Sequence, residues 1–436
     1  RAMYRTSGRA FGRFGAAGRA MYRGLRGGTH GFLSRLTNNV ALYSNLDIKY
    51  LGPVDGHDLE AMIETLKLAK SYGAPVIVHA ITEKGRGYQP ALDDLEDQFH
   101  AVGKINPDTG VAMSNSTALS WTDIFADELV RVGERRNDVI AITAAMLRPT
   151  GLARFAERFP DRVYDVGIAE QHAVTAAAGM AFGGLHPVVA MYATFMNRAF
   201  DQVLMDVGLH GAGVTFVLDR AGVTGPDGPS HHGIWDLAML QIVPRIRIGV
   251  PRDAARLVEL LDEAVDVGDA PTVVRFPKGE VGADISAIER FEDGVEVLSR
   301  GGAPDVLILP IGPLASMALE VAERLRAEGI GVTVVDPRWA IPVQPSVVRL
   351  AAEHRLVLTI EDGIRVGGVG TRGRQVLRDA GVDTAVDELG VPDEFIQHAT
   401  REQILIDAGL TVDKITEDII EQVRGTRIPI ARPASA

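Results

Sequence analysis

Seven short stretches of the chain concentrate the side chains able to do chemistry. DVGIAEQH (165–172) sets Glu170, Gln171 and His172 at the head of a run of Ala, Gly and Met. MYATFMNR (191–198) carries Tyr192, Phe195 and Arg198. DRAGVTGPDGPSHHG (219–233) gathers Arg220, Asp227, His231 and His232 into one Gly- and Pro-rich segment, and RFPKG (275–279) contributes Lys278. GPVDGHD (52–58), KGRGY (84–88) and FHAV (99–102), with His100, lie upstream. Glu and His supply proton transfer near neutral pH, and Arg and Lys bind phosphate or carboxylate. Taken singly, each has an ordinary explanation: Glu170 as a carboxylate favouring a helix N-terminus, the His pair and His100 as scaffold, Tyr192 and Phe195 as core. Their common location is what argues for a site.

That location follows from the elements around them. Between about 121 and 280, apolar runs that read as strands (DVIAITAA, VYDVG, PVVAMYA, VTFVLDR, RIRIGV) alternate with helical stretches such as PRDAARLVELLDEAVDVG. Such alternation predicts a parallel sheet with helices on both faces, whose ligands sit at the carboxyl ends of the strands. Four of the polar clusters follow strands directly, so they should converge on one crevice, made cationic by Arg198, Arg220 and Lys278. A second α/β unit follows, with strands DVLILPIG, GVTVVDPRW and RLVLTIEDG, and 281–304 reads as the linker between them. Upstream, LDIKYLGPVDGHDLEAMIETLKLAKSYGAPVIVHAI reads as strand, helix and strand, the helix capped by Asp58 and stopped at Gly73. EKGRGYQPALDDLEDQFHAVGKINPDTG (83–110) is a long excursion of the kind that tends to be functional.

Composition narrows the classes. The chain has 436 residues, no Cys and a net charge of −12. Disulfides, thiolate metal sites and Cys nucleophiles are excluded, and no apolar run approaches the ~20 residues of a membrane span. Residues 1–40 hold eight Arg and no Lys, Asp or Glu, so the remaining residues carry −20. This segment, in which RAMYR occurs twice, reads as a mobile linker rather than a transit peptide or nucleic-acid arm. The non-Met start suggests part of a longer protein. GVGTRG (368–373) matches a dinucleotide fingerprint but stands about seven residues beyond Ile360, too far from its strand for NAD. A GxSxG hydrolase elbow does not occur.

Together, in this order, the seven motifs closely resemble those of the 1-deoxy-D-xylulose-5-phosphate synthase family, thiamine-diphosphate enzymes of transketolase-like α/β fold, over residues 45–425. The resemblance implies a transferase joining pyruvate to glyceraldehyde 3-phosphate with loss of carbon dioxide, as the first step of an isoprenoid route that also feeds thiamine and pyridoxal synthesis. It implies a cytoplasmic homodimer without membrane or nucleic-acid partners. By resemblance, Glu170 hydrogen-bonds N1′ of the cofactor's aminopyrimidine and helps to activate its thiazolium carbon. Phe195 stacks on the pyrimidine, and Ile168 also lines the cofactor. Tyr192, Arg198, Arg220, Asp227 and Lys278 bind substrate, Lys278 standing where many members have Arg. His231 and His100 act as catalytic groups. The implied domains are a linker at 1–40, part of a pyrophosphate-binding domain at 41–118, a pyrimidine-binding domain at 119–285 and a C-terminal transketolase-type domain at 300–428. The GDG motif that in this family holds Mg²⁺ and the diphosphate does not occur, so no metal ligand is expected here. Three readings remain: a fragment of the enzyme, one subunit of a split enzyme whose partner chain supplies the diphosphate-binding domain, or a non-catalytic dimer scaffold.

Overall fold

The computed structural model describes residues 48–94, 98–100, 102–111, 113 and 118–425. The linker expected at 1–40 lies outside them. The chain divides into two compact units, 1–115 and 116–436.

In the first unit, parallel strands β1 (Lys49–Asp55) and β2 (Val76–Ile81) are joined by the helix Leu59–Ser71. The Asp58 carboxylate accepts the Ala61 N–H at 3.0 Å, and Gly73 adopts φ +63°, so the helix begins and stops where its sequence requires. The excursion after β2 contains the short helix Gln89–Asp93 and is tied together by Tyr88, whose hydroxyl donates to the Pro107 carbonyl at 2.8 Å.

The second unit holds two sheets. The central sheet comprises β3 (Val139–Thr143), β4 (Val163–Asp165), β5 (His186–Tyr192), β6 (Thr215–Asp219), β7 (Arg247–Gly249) and β8 (Thr272–Arg275). Its spatial order is β7-β8-β6-β5-β3-β4, all parallel. VIAIT and TFVLD are buried at every position, as helices on both faces demand. On one face the helix Trp121–Arg135 starts from a reciprocal Ser120–Asp123 capping box and buries Phe125, Leu129 and Val132, one stripe at helical spacing. On the other, the helix Glu170–Phe182 buries Ala173, Val174, Ala177 and Ala178, small side chains that let it lie close to the strands.

The C-terminal sheet comprises β9 (Glu289–Arg290), β10 (Glu296–Gly301), β11 (Val306–Pro310), β12 (Val332–Asp336), β14 (Leu356–Ile364) and β15 (Ala385–Val391), in the order β15-β14-β11-β12-β10-β9. Strands β9 and β10 occupy the stretch read from sequence as linker. Val295 and Val297 are fully buried there, and β10 runs antiparallel to β12. The sequence GVTVVDPRW also divides. After β12, Arg338 takes φ +57° and the chain crosses over, so that β13 (Trp339–Ile341) pairs antiparallel with β7 at the edge of the central sheet.

Buried ion pairs lock the crossing. Arg252 meets Asp336 at 2.5 Å and also pairs with Glu296. Glu263 binds Arg338 at 2.5 Å and the Trp339 indole N–H at 2.7 Å. Breaking one partner of such a pair strands the other charge in the interior, so these contacts fix the geometry even where their net contribution to stability is small. Among the described residues, no helix is long and apolar enough to cross a membrane.

Candidate active site

The carboxyl ends of β4, β5, β6 and β8 carry the clusters expected there. Glu170 opens the helix after β4, and its side chain is buried, with 3% of the residue exposed. Oε2 of Glu170 makes no hydrogen bond among the described residues. A buried carboxylate oxygen without a donor costs free energy unless something else supplies one. Ile168, two residues earlier, is 78% exposed.

Beyond β5 the chain runs through a 3₁₀ segment, Ala193–Ala199, that turns Tyr192 and Phe195 toward each other. Their rings stack at 5.8 Å with only 10° between planes, and the His231 ring meets Phe195 edge-on at 5.6 Å. The Arg220 guanidinium lies over the other aromatic, 4.1 Å from the Tyr192 centroid. A continuous column therefore runs Arg220–Tyr192–Phe195–His231. Arg220 sits at φ +57°, a strained backbone for a non-glycine residue and one that redirects the chain immediately after β6.

Arg220 is held from behind. Its Nη1 pairs with Asp219 Oδ2 at 2.8 Å and donates to the Pro149 carbonyl at 3.0 Å. Asp219 is buried and accepts the Thr122 hydroxyl at 2.7 Å. Burial pushes its carboxyl above the ordinary range, against the opposing pull of Arg220 and Thr122. Thr122 and Asp219 were not legible as site residues, because nothing in the sequence links positions 97 residues apart.

Lys278 is also engaged: its ammonium lies 2.9 and 2.7 Å from the two Asp227 oxygens. Two of the three cations expected to make the crevice positive thus already face carboxylates. Arg198 is exposed and makes no ion pair among the described residues. His231 Nδ1 is 2.8 Å from the Ser230 hydroxyl. Its neighbour His232 is buried, with Nδ1 accepting the Thr224 N–H at 3.1 Å, and burial holds its pKa below the usual imidazole value. Neutral and enclosed, His232 shapes the loop. The second unit thus holds Ile168, Glu170, Tyr192, Phe195, Arg198, Arg220, Asp227, His231 and Lys278, while His100 belongs to the first unit and is exposed.

Beneath this loop lies a charged cluster that the sequence reading missed. Arg275, fully buried at the end of β8, binds Asp236 at 2.7 Å and approaches Asp362 at 3.7 Å; Asp362 in turn binds Arg401 at 2.7 Å. The signal was a charged residue inside the apolar strand TVVRF. Glu361, beside Asp362, accepts the Gly370 N–H at 3.2 Å, and burial pushes its carboxyl up to about 8. Strand β14 runs to Ile364, closer to GVGTRG than the sequence suggested. A dinucleotide still has no place there, because the Glu361 carboxylate fills the space over Gly368 where a diphosphate would have to approach.

A doubly wound sheet joined to a smaller C-terminal sheet, with an orphaned Glu at the carboxyl-end crevice, defines a transketolase-like α/β protein. Family models agree: residues 117–283 match the transketolase pyrimidine binding domain and 294–415 the transketolase C-terminal domain. Among solved structures, a split-gene transketolase described as an inactive β4 tetramer is similar at TM-score 0.62 and 28% identity, over 70% of this chain and 99% of that one. A transketolase from Leishmania mexicana shares the fold at TM-score 0.60 and 19% identity, over 73% of this chain and 48% of its own.

Residues 5–82 match the family model of 1-deoxy-D-xylulose-5-phosphate synthase. Synthases of that name from Leifsonia xyli subsp. xyli and Clavibacter sepedonicus are 68% and 67% identical, each over 99% of this chain and 67% of its own length. The chain belongs to the 1-deoxy-D-xylulose-5-phosphate synthase family, within the thiamine-diphosphate-dependent transketolase-like transferases. It spans about two thirds of the length of these relatives.

Proposed function

We propose that this chain forms the pyrimidine-binding half of a 1-deoxy-D-xylulose-5-phosphate synthase, which joins pyruvate to glyceraldehyde 3-phosphate with release of carbon dioxide. The observation that carries the reading is Glu170 Oε2, buried at the crevice and without a partner among the described residues. An aminopyrimidine nitrogen supplies the complement such an oxygen lacks, so the residues present fit thiamine diphosphate. When bound, that cofactor supplies the carbon nucleophile and electron sink that decarboxylation of a 2-oxoacid requires.

The chain's own residues do the rest. Glu170 holds a proton at the pyrimidine N1′. Phe195 offers its half-buried ring to the heterocycle, and Ile168 closes on it from the loop. Tyr192 and Arg220, fixed by Asp219 and Thr122, orient the substrate. Arg198 and Lys278 bind the triose phosphate as point charges, with Lys278 exchanging its Asp227 partner for phosphate. His231, presented by Ser230 and Phe195, moves protons on the substrate oxygens, and the family resemblance is what assigns His100 to pyruvate or its cofactor adduct.

Mg²⁺ and the diphosphate are held, in this reading, by residues outside those described. The enzyme works as a cytoplasmic homodimer. A second reading, a split enzyme whose partner chain brings the diphosphate site, is favoured by the likeness to a split-gene transketolase subunit over 99% of that subunit.

Calorimetric titration of the purified chain with thiamine diphosphate and Mg²⁺, with pyruvate consumption followed in the same sample, tests the proposal. The expected result is weak or no binding by the chain alone. Binding with turnover is expected once a polypeptide carrying the diphosphate motif is added. An assembled complex that binds the cofactor and leaves pyruvate untouched would overturn the synthase reading.

A further inference from the structure

A cavity of about 710 Å³ opens where the amino-terminal edge of the central sheet meets the C-terminal half of the second unit. Arg245 and Arg247, at the start of β7, form one wall; Arg372, on the helix Val369–Asp379, forms the other. Gln241, Thr371 and Gln375 add polar atoms between them. No Asp or Glu lines this cavity, although the chain as a whole carries −12. It lies at the opposite ends of the strands from Glu170, Arg220 and Lys278, which follow the carboxyl termini of their strands.

Two of the three guanidiniums face no carboxylate among the described residues. Arg247 is exposed, and its side chain makes no ion pair or hydrogen bond among the described residues. The Arg372 guanidinium donates to the neutral Gln375 amide oxygen, at 2.9 Å, and to no carboxylate among the described residues. Arg245 alone has a carboxylate partner, Asp269 at 2.5 Å, and both members of that pair are exposed. The Gln241 amide nitrogen is committed to the Gly367 carbonyl, which leaves Oε1 buried and unpaired among the described residues. Three guanidiniums gathered around one concavity, only one of them facing a carboxylate, repel one another, and an anion relieves that repulsion while gaining charge-assisted, bidentate hydrogen bonds. The volume suits a small molecule, within the ~300–1,000 Å³ usual for ligand sites.

We infer that this cavity is a second ligand site, separate from the crevice, which binds a small phosphorylated metabolite carrying at least two negative charges. Because its cations come from both α/β halves, the ligand bridges them on the side away from the chemistry and adds to the contacts made by β13. The site is regulatory in kind: it holds a ligand where no reacting group reaches.

Titration of the purified chain with inorganic diphosphate, in EDTA at low ionic strength, tests this. Saturable binding at one site per chain is expected, weakening as salt rises. The pair Arg247→Ala and Arg372→Ala is expected to weaken it at least tenfold, and Asp269→Asn, which frees Arg245, to tighten it several-fold. Thermal melts of the variants establish that they fold. The proposal is overturned by absence of binding to the parent chain, or by binding that both variants leave unchanged. It is equally overturned if the double substitution alters only self-association in the ultracentrifuge, which would make the cavity a surface covered by a second copy.

Discussion

The Arg220 guanidinium rests 4.1 Å from the centroid of the Tyr192 ring, while its Nη1 is held by the buried Asp219. Asp219 is the neighbour of Arg220 in the chain, but Tyr192 reaches them only through the sheet: β5 and β6 run parallel and in register, with Tyr192 opposite Asp219, which brings the three side chains to one level. Cation–π attraction at a partly desolvated site contributes about 1–2 kcal/mol, enough to hold a long, otherwise mobile side chain in one rotamer.

Tyr192→Phe keeps the ring and is therefore expected to retain Arg220's placement, whereas Tyr192→Leu releases it. In the assembled enzyme, steady-state kinetics should show about a tenfold loss of kcat/KM for the leucine variant beyond that of phenylalanine. Equal losses in the two variants would assign the effect to the hydroxyl rather than to the stack.

For Glu170, stability and activity should separate. Its Oε2 is buried and unpaired among the described residues, so Glu170→Gln breaks no hydrogen bond of that oxygen and is expected to leave the melting temperature of the chain unchanged or higher. Turnover by the assembled enzyme is expected to fall by roughly 10²-fold or more, since general acid–base groups typically contribute on that scale. A Gln variant with most of its turnover would remove Glu170 from the mechanism.

His186 sets an acid limit on stability. Buried at the start of β5, with Nε2 2.8 Å from the Thr215 hydroxyl, it is pushed by burial down to about 4. The unfolded chain takes up this proton near pH 6.5 while the folded chain refuses it until about pH 4. Stability is thus fully present above pH 6.5 and lost as pH falls toward 4, by about 3 kcal/mol over the window. Denaturant titrations at pH 7.5 and 4.5 should show this loss, reduced in His186→Gln.

Glu361 acts in the opposite direction. With its carboxyl raised to about 8, the folded chain keeps a proton that the unfolded chain releases near pH 4.5. Stability declines as pH rises between those values, at about 1.4 kcal/mol per unit within the window. Glu361→Gln preserves an acceptor for the Gly370 N–H and removes the titration, so it is expected to melt above the parent at pH 8–9 and to match it near pH 5.

Arg275 tests the buried cluster beneath the loop. Arg275→Met leaves Asp236 buried without its 2.7 Å partner and weakens the tie to Asp362. A loss of about 3–5 kcal/mol in equilibrium unfolding is expected. The double replacement Arg275→Met with Asp236→Leu should recover much of it.

The sequence by itself determined the alternating strands and helices of the central sheet and which residues follow them. Strand–helix alternation, apolar runs buried on both faces and the Asp58 cap are local properties, legible because hydrophobic periodicity and capping act over a few residues. The motifs after β4, β5, β6 and β8 were legible for the same reason, since a parallel sheet brings its carboxyl ends to one side. Tertiary structure alone decided the rest. The split of GVTVVDPRW between two sheets rests on the turn at Arg338 and on Glu263, which holds Arg338 and Trp339 from 75 residues away or more. The strands at 289–301 depend on pairing with β12, which no local pattern announces. The anchoring of Asp219 by Thr122, the pairing of Lys278 with Asp227 and the cluster around Arg275 all join residues tens of positions apart. Charge partners of that kind are chosen by how buried groups escape desolvation once the chain has packed, and that information exists only in three dimensions.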